Sequence, residues 1–127
     1  MRLVPKISAS EWEIMKVLWA QAPCTANEIV GALREHDWTP PTIRTLINRL
    51  VKKGAVAHSK AASREYHYAP LFTQEECARH ERRSFLHRIY NGATQPMLAH
   101  LLQDEELSTE EAEALKRILN RKTGSSS

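Results

Sequence analysis

The residues best suited to chemistry in this chain form a group of cations near its middle. No aspartate or glutamate occurs between Asp37 and Glu65, yet this stretch holds several basic side chains: Arg44, Arg49, Lys52, Lys53, Lys60 and Arg64. Because no carboxylate neutralises these guanidinium and ammonium groups locally, they can approach a polyanion such as nucleic acid.

Residues Thr42 to Gly54 within this stretch have the spacing of an amphipathic helix. Apolar residues recur at i, i+3, i+4, i+7 and i+8, which predicts a buried stripe: Ile43, Leu46, Ile47, Leu50 and Val51. The opposite face carries only hydrogen-bonding groups, none of them acidic: Arg44, Thr45, Asn48, Arg49 and Lys52. Arginine and asparagine can pair with base edges, so the pattern predicts a recognition helix.

Two other interpretations of this face are open from the sequence. It could be the solvated exterior of an ordinary helix, or it could belong to a winged-helix protein-interaction module that does not bind DNA. The missing acids, the interleaved threonine and asparagine, and the hairpin predicted to follow favour DNA. Tyr66 and Tyr68 alternate with His67, a spacing that favours strand packing over base stacking.

The sequence indicates where the helices that position these residues begin. A Ser or Thr three residues before a Glu, the spacing of a capping box, occurs at Ser8, Thr25, Thr73 and Ser108. These positions predict a helix from Ser8 to about Ala20 and a second helix after Pro23. Thr39 is predicted to cap the third helix, with Pro40 at its first position and Gly54 at its end.

The segment after Gly54 is predicted to form a β-hairpin. Val56–His58 and Glu65–Tyr68 have partly alternating character, Ser59–Ser63 suits a loop, and Pro70 closes the unit. Three helices followed by a hairpin is the order of a winged helix-turn-helix. Lys60 and Arg64 would then lie at the tip of the wing.

The rest of the chain is predicted to be helical, over Thr73 to Tyr90, Thr94 to Gln103 and from Ser108 onward. These helices have too few large apolar residues to form a core alone, so dimerisation is expected. The residues predicted to form the dimer interface are Phe85, Leu86, Ile89, Tyr90, Leu98, Leu101, Leu102, Leu115 and Leu119. A two-fold dimer would set two recognition helices about one turn apart on palindromic duplex DNA.

The predicted fold class is mainly α with a small β-hairpin: a winged helix-turn-helix followed by an all-α dimerisation region. The predicted domains are residues 1–70, which bind DNA, and residues 71–122, which dimerise, with a flexible tail at 123–127. The formal net charge of the 127 residues is +3, and the surplus lies in the first 70. With no long apolar run and no signal-peptide region, a soluble cytoplasmic protein without a membrane segment is expected.

Other kinds of site are poorly supported by the sequence. No catalytic triad, paired carboxylates or glycine-rich phosphate loop stands out, so neither an enzyme nor a cofactor is predicted. Cys77, His80, Glu81 and His87 could share one helix face, but the neighbouring arginines would oppose a cation, and no metal site is predicted. Cys24 and Cys77 lack the spacing of a disulfide framework or a zinc finger.

The chain resembles the penicillinase-repressor/copper-transport-repressor family (BlaI/MecI/CopY type) of bacterial winged-helix regulators. The matching stretches are Ile7 to Trp19, Trp38-Thr39-Pro40, Thr42 to Gly54, Ser84 to Gly92 and Leu107-Ser108. Together they span nearly the whole chain from Ile7 to about Leu119. The resemblance implies a homodimeric repressor on operator palindromes, of the kind that controls resistance or metal and antibiotic response operons.

The resemblance also implies which residues bind DNA. The third helix would enter the major groove, and its readers would be Thr42, Arg44, Thr45, Asn48 and Arg49. Lys52, Lys60 and Arg64 would hold the DNA backbone. Thr39, at the start of the helix, is also predicted to bind DNA.

Three positions depart from the family pattern. Pro41 stands where relatives often have a lysine, so one phosphate contact is not expected. His100-Leu101 replaces the Asn-Phe bond whose cleavage inactivates the β-lactam-responsive members, and the C-terminal Cys-x-Cys motifs of the copper-responsive members are absent. Proteolysis, a metal, oxidation of Cys24 or Cys77, or no inducer at all therefore remain open as signals.

Overall fold

Local capping chemistry determines where the helices of this protein begin. The computed structural model describes residues 3–60 and 64–124. Its helices are α1 Ala9–Gln21, α2 Ala26–Ala32, α3 Pro40–Lys53, α4 Gln74–Tyr90, α5 Thr94–Asp104 and α6 Thr109–Thr123. The strands are β1 Cys24–Thr25, β2 Val56–Ser59 and β3 His67–Pro70.

The four predicted capping boxes are present. At Ser8, Thr25, Thr73 and Ser108 the hydroxyl accepts from the backbone N–H three residues on, and the glutamate there accepts from the N–H of the capping residue. Each box satisfies two backbone donors that a helix would otherwise leave unpaired. The predicted starts of α1, α2, α4 and α6 are confirmed.

Helix α3 has the ends that its sequence predicts. Thr39 is its N-cap, and the Thr39 hydroxyl accepts from the Thr42 N–H at 3.3 Å. Pro40 occupies the first position, where its missing N–H costs no intrahelical hydrogen bond. Gly54 ends the helix in the left-handed region at φ 83°, which favours glycine because it has no Cβ.

The sheet has three antiparallel strands in the order β1-β3-β2, rather than the two of the predicted hairpin. Strand β1 has two residues, too few to produce an alternating pattern in the sequence. The second hairpin strand begins two residues later than predicted, because the register pairs Val56 with Pro70 and Ser59 with His67. Of the predicted loop, residues 61–63 lie outside the described residues.

The chain divides into two compact units, an N-terminal unit through Arg82 and a C-terminal unit from Arg83. In the N-terminal unit, α3 contacts α1, α2 and β2 over a single core. The fully buried residues of that core include Ile14, Met15, Leu18, Ile29, Ile43, Ile47 and Leu50. Phe72 and Cys77, which follow the predicted domain boundary at residue 70, are buried in this core as well.

An ion pair between a buried carboxylate and a partly exposed lysine joins α1 to the end of α3. Glu11 is 1% exposed, and the Lys53 Nζ donates to Glu11 Oε1 and to the backbone oxygen of Lys6. Burial raises the pKa of the Glu11 carboxyl, but hydrogen bonds from Lys53 and Ser8, with the charge of Lys53, hold that pKa below its ordinary value. Lys53 therefore fixes α3 in place.

The C-terminal unit contains the end of α4, with α5 and α6. Helix α4 ends at Tyr90, as predicted, and is followed by Asn91 at φ 52° and Gly92 at φ 83°. None of the described residues from 83 to 124 is buried. Across both units, no helix in the described ranges is long and apolar enough to cross a membrane.

Candidate nucleic-acid interface

Helix α3 has one buried face and one exposed polar face. Ile43, Leu46, Ile47 and Leu50 are buried and Val51 is half-buried, so the predicted apolar stripe is confirmed. The opposite side is exposed at all positions predicted for it: Thr42, Arg44, Thr45, Asn48, Arg49 and Lys52. Lys53, the one other cation of the helix, belongs to the Glu11 ion pair, and the exposed face carries no acid.

The threonines of this face are held by local hydrogen bonds. The hydroxyls of Thr39 and Thr42 lie 3.0 Å apart, and the Thr45 hydroxyl donates to the Pro41 backbone oxygen at 3.0 Å. Because its only hydroxyl proton is engaged, Thr45 presents a methyl group and an oxygen acceptor to any ligand. Its position suits an apolar contact better than a phosphate contact.

Arg44 is held by a side chain from another helix. Its Nη2 donates to Oδ1 of Asn27 at 2.7 Å, and both residues are exposed. Asn27 is the second residue of α2, so the bond connects the start of α2 to the reading face of α3. The sequence interpretation did not include Asn27, because no periodicity or motif links residues that are 17 positions apart.

An open cleft lies beside this face, between the start of α2, α3 and the residues around β3. Arg44 of α3 lines it, with Ala26 and Asn27 of α2. An adjoining cavity shares Ala26, Arg44 and Tyr68 and is also lined by Ile47 and Asn48. The other lining residues of the cleft are Lys60, Arg64, Glu65, Tyr66 and Tyr68. Three cations thus surround the cleft, with Glu65 as the one acidic residue among the described lining residues.

The two tyrosines near the wing have different environments. Tyr68 lies in β3 and packs against the core, as the strand-packing interpretation predicts. Tyr66 precedes β3 and is 42% exposed, so that interpretation is wrong for Tyr66. The Lys60 Nζ lies 4.8 Å from the centroid of its ring, and His58 meets the ring edge to face at 4.7 Å. An exposed aromatic ring therefore lies next to Lys60, a cation of the wing.

The structure gives the metal and redox alternatives little support. Among the described residues, no three His, Cys, Asp or Glu side chains are grouped so that they could hold a metal ion, and this includes Cys77, His80, Glu81 and His87. Cys24 and Cys77 are buried free thiols. Burial raises the pKa of both thiols, with smaller contributions from nearby glutamates, so the reactive thiolate is disfavoured.

The residues predicted for a dimer interface lie at the surface of the C-terminal unit. Leu86 and Tyr90 are half-buried, and the Tyr90 hydroxyl lies 3.0 Å from Nδ1 of His100. The others are exposed, with Ile89 at 55%, Leu101 at 54% and Leu119 at 53%. The remaining exposed members are Phe85, Leu98, Leu102 and Leu115, beside Leu107 and Ile118, which that prediction left out.

Known proteins similar to this chain are repressors. A family model described as Penicillinase repressor matches residues 7–121. The penicillinase repressor of Bacillus licheniformis is 38% identical over 120 residues, which are 94% of this chain and 93% of that protein. The methicillin resistance regulatory protein MecI of Staphylococcus aureus (strain N315) is 34% identical over 118 residues, 92% of this chain and 95% of MecI.

Two solved structures extend this similarity to the fold. The solution structure of the DNA binding domain of the repressor BlaI has a TM-score of 0.52 and 38% identity, and the alignment covers 60% of this chain and 93% of that one. The monomeric form of Bacillus licheniformis BlaI in complex with the blaP half-operator has the same values. The chain therefore belongs to the penicillinase repressor family, a family of transcriptional regulators rather than enzymes.

Proposed function

We propose that this protein is a transcriptional repressor that binds palindromic operator DNA as a homodimer, with α3 in the major groove. The observation that carries the proposal is the exposed, acid-free face of α3, held rigidly by a buried stripe on the other side. A relative solved in complex with a half-operator supports it, since a palindrome consists of two half-sites. We infer a cytoplasmic location from this function, because a bacterial repressor acts where the DNA lies.

The side chains of this face suit distinct parts of a duplex. Arg44 and Arg49 can donate in pairs to guanine O6 and N7, and Asn48 can pair with adenine. Thr45, whose hydroxyl donates to Pro41, offers its methyl group to a thymine methyl. We assign Thr39, the N-cap of α3, and Lys52, in its last turn, to the DNA backbone on either side of the groove, and we keep Thr42 among the readers.

The wing supplies further cations for the DNA backbone. Lys60 and Arg64 are exposed on either side of residues 61–63, and both line the cleft next to Arg44. A lysine ammonium binds phosphate as a point charge, without base selectivity. We assign both residues to phosphates flanking the bases that α3 reads.

Dimerisation is proposed to occur through the exposed apolar residues of the C-terminal unit. A helical unit of this size with no buried residue among those described has no core of its own. A second copy of the same surface would cover the exposed leucines, isoleucine and phenylalanine without any other partner. The resulting symmetry is the one that a palindromic operator requires.

The proposed function is tested by selecting palindromic duplexes from a randomised pool and measuring their affinity at two salt concentrations. We expect the selected duplex to bind well above random DNA, and binding to weaken steeply with salt as counterions return to the phosphates. Failure to enrich any duplex would refute the proposal. Enrichment of a protein partner together with salt-insensitive DNA binding would favour an interaction module.

Replacing Arg44 with alanine is expected to weaken binding to the selected duplex by about 1–3 kcal/mol and to relax its sequence preference at one base pair of each half-site. The physical reason is the loss of a paired donor to a guanine edge. Lys60→Ala is the matched control, because loss of a phosphate contact should weaken selected and random duplexes about equally. Equal losses for Arg44→Ala on both duplexes would place Arg44 on the backbone instead.

A further inference from the structure

Asn27 lies on α2, outside the exposed face of α3, yet it contacts Arg44, one of the cations that line the cleft. Its Oδ1 accepts from Arg44 Nη2 at 2.7 Å, a length typical of a hydrogen bond with a charged donor. Among the described residues, no other hydrogen bond involves the Asn27 side chain. The two side chains come from different helices, so the bond does not stabilise either helix locally.

The hydrogen bond to Asn27 restricts the conformations of the Arg44 side chain, which could otherwise reach more than one kind of ligand. An arginine on an exposed helix face has several rotatable bonds and loses considerable entropy when it is fixed. With one Nη engaged by Asn27, the orientation of the planar guanidinium is set and four of its five N–H donors remain for a ligand. Arg44 is thereby preorganised before DNA arrives.

Preorganisation matters here because DNA offers arginine two competing ligands. Phosphate oxygens carry the charge but no sequence information, whereas guanine O6 and N7 specify a base. Lys60 and Arg64, which line the same cleft, already provide cations for the backbone. An untethered Arg44 could join them there and contribute affinity without selectivity.

We propose that Asn27 is a specificity-determining positioning residue that holds Arg44 toward the base edges and away from the phosphates. This inference rests on the proposed function, since it concerns how the same surface selects its operator. It adds a residue of α2 to a recognition surface otherwise assigned to α3 and the wing.

The test is the ratio of affinities for the selected duplex and for random DNA, measured with the full-length protein. Asn27→Ala should lower this ratio by roughly threefold to tenfold, the size expected when one hydrogen bond of ordinary strength between exposed side chains is lost. Affinity for random DNA should stay within about twofold, because Arg44 remains available to phosphates. Unchanged thermal unfolding of the variant shows that the fold is intact.

Two further variants separate positioning from a direct contact. Asn27→Asp keeps the acceptor for Arg44 but adds a negative charge, so it should restore the base preference while weakening binding to all duplexes. In the Arg44→Ala background, Asn27→Ala should have almost no further effect on the ratio, because the residue that it orients is gone.

The outcomes distinguish this inference from the proposed function. If the wild-type protein selects no duplex, the proposed function fails first. If the wild type discriminates and Asn27→Ala discriminates equally well, only the positioning role is overturned. Equal losses on selected and random DNA, or additive effects of the two substitutions, would make Asn27 a phosphate contact that is independent of Arg44.

Discussion

Replacing Leu115 and Leu119 with aspartate is expected to convert the protein to monomers and to abolish tight operator binding. Both leucines are on α6, a helix with no buried residue, and both are exposed in the isolated chain. If a second copy covers them, each substitution places a carboxylate in an apolar interface, where a charge without a partner is strongly unfavourable. Sedimentation velocity measures the change in mass directly.

The expected loss of DNA affinity follows from the loss of the second half-site. In a dimer, binding of one recognition helix brings the other to its half-site at high effective concentration. A monomer keeps its α3 face but loses that advantage, so affinity for a full palindrome should fall about 100-fold and affinity for a single half-site should change little.

Leu3→Asp is the matched control for this experiment. Leu3 is also an exposed leucine, but it precedes α1 and lies in the N-terminal unit. The same change of chemistry at Leu3 should leave both the dimer and its operator affinity unchanged. A stable dimer of the Leu115→Asp/Leu119→Asp protein would show that the subunits associate through some other surface.

Replacing Lys53 with methionine is expected to destabilise the N-terminal unit by about 3 kcal/mol, because it leaves the Glu11 carboxylate buried without its partner. Glu11 is 1% exposed and accepts hydrogen bonds from Lys53 and from the Ser8 N–H, of which only the latter would remain. Methionine retains the apolar volume of the lysine stem. Urea unfolding followed by circular dichroism measures the loss.

A second substitution separates loss of the ion pair from loss of packing. Glu11→Gln removes the charge but keeps an oxygen that can accept from the Ser8 N–H. In the Lys53→Met background it should restore about half of the lost stability, because no unpaired charge is then buried. If Lys53→Met alone were as stable as the wild type, the ion pair would not hold α3 against α1.

The ion pair also predicts how stability depends on pH. Because the pKa of Glu11 is lower in the folded protein than its ordinary value, its ionised form adds stability above that ordinary value, and this contribution is lost as pH falls through the folded pKa. Glu28 and Glu111 also have lowered pKa values, from hydrogen bonds in their capping boxes. The difference between wild-type and Glu11→Gln unfolding curves in acid therefore isolates Glu11, and identical curves would contradict its lowered pKa.

Much of the fold could be predicted because its determinants are local. A serine or threonine three residues before a glutamate satisfies helix N–H groups within one turn, so Ser8, Thr25, Thr73 and Ser108 indicated where helices begin. Strand β1 was not predicted, because its two residues form a strand only through their pairing with β3.

The candidate interface was predictable only in part. The apolar period of α3 assigned the exposed face, including Lys52, but it gave no role to Lys53, the next residue in sequence. Lys52 is exposed on the proposed reading side, whereas Lys53 pairs with a glutamate 42 positions away. Asn27 was missed, and the contacts of Tyr66 with His58 and Lys60 were not predicted, because these partners belong to other parts of the fold.

The sequence by itself determined the helix boundaries, the two faces of α3 and the surplus of exposed apolar residues after Arg83. These features depend on spacing within a few residues, where backbone geometry leaves few alternatives. Only the tertiary structure decided which cation is structural, that Asn27 holds Arg44, and that the cleft beside α3 contains Lys60, Arg64 and Tyr66. Such contacts depend on how separate elements pack. A periodicity of apolar residues within one element carries no information about the packing of residues that are distant in the chain.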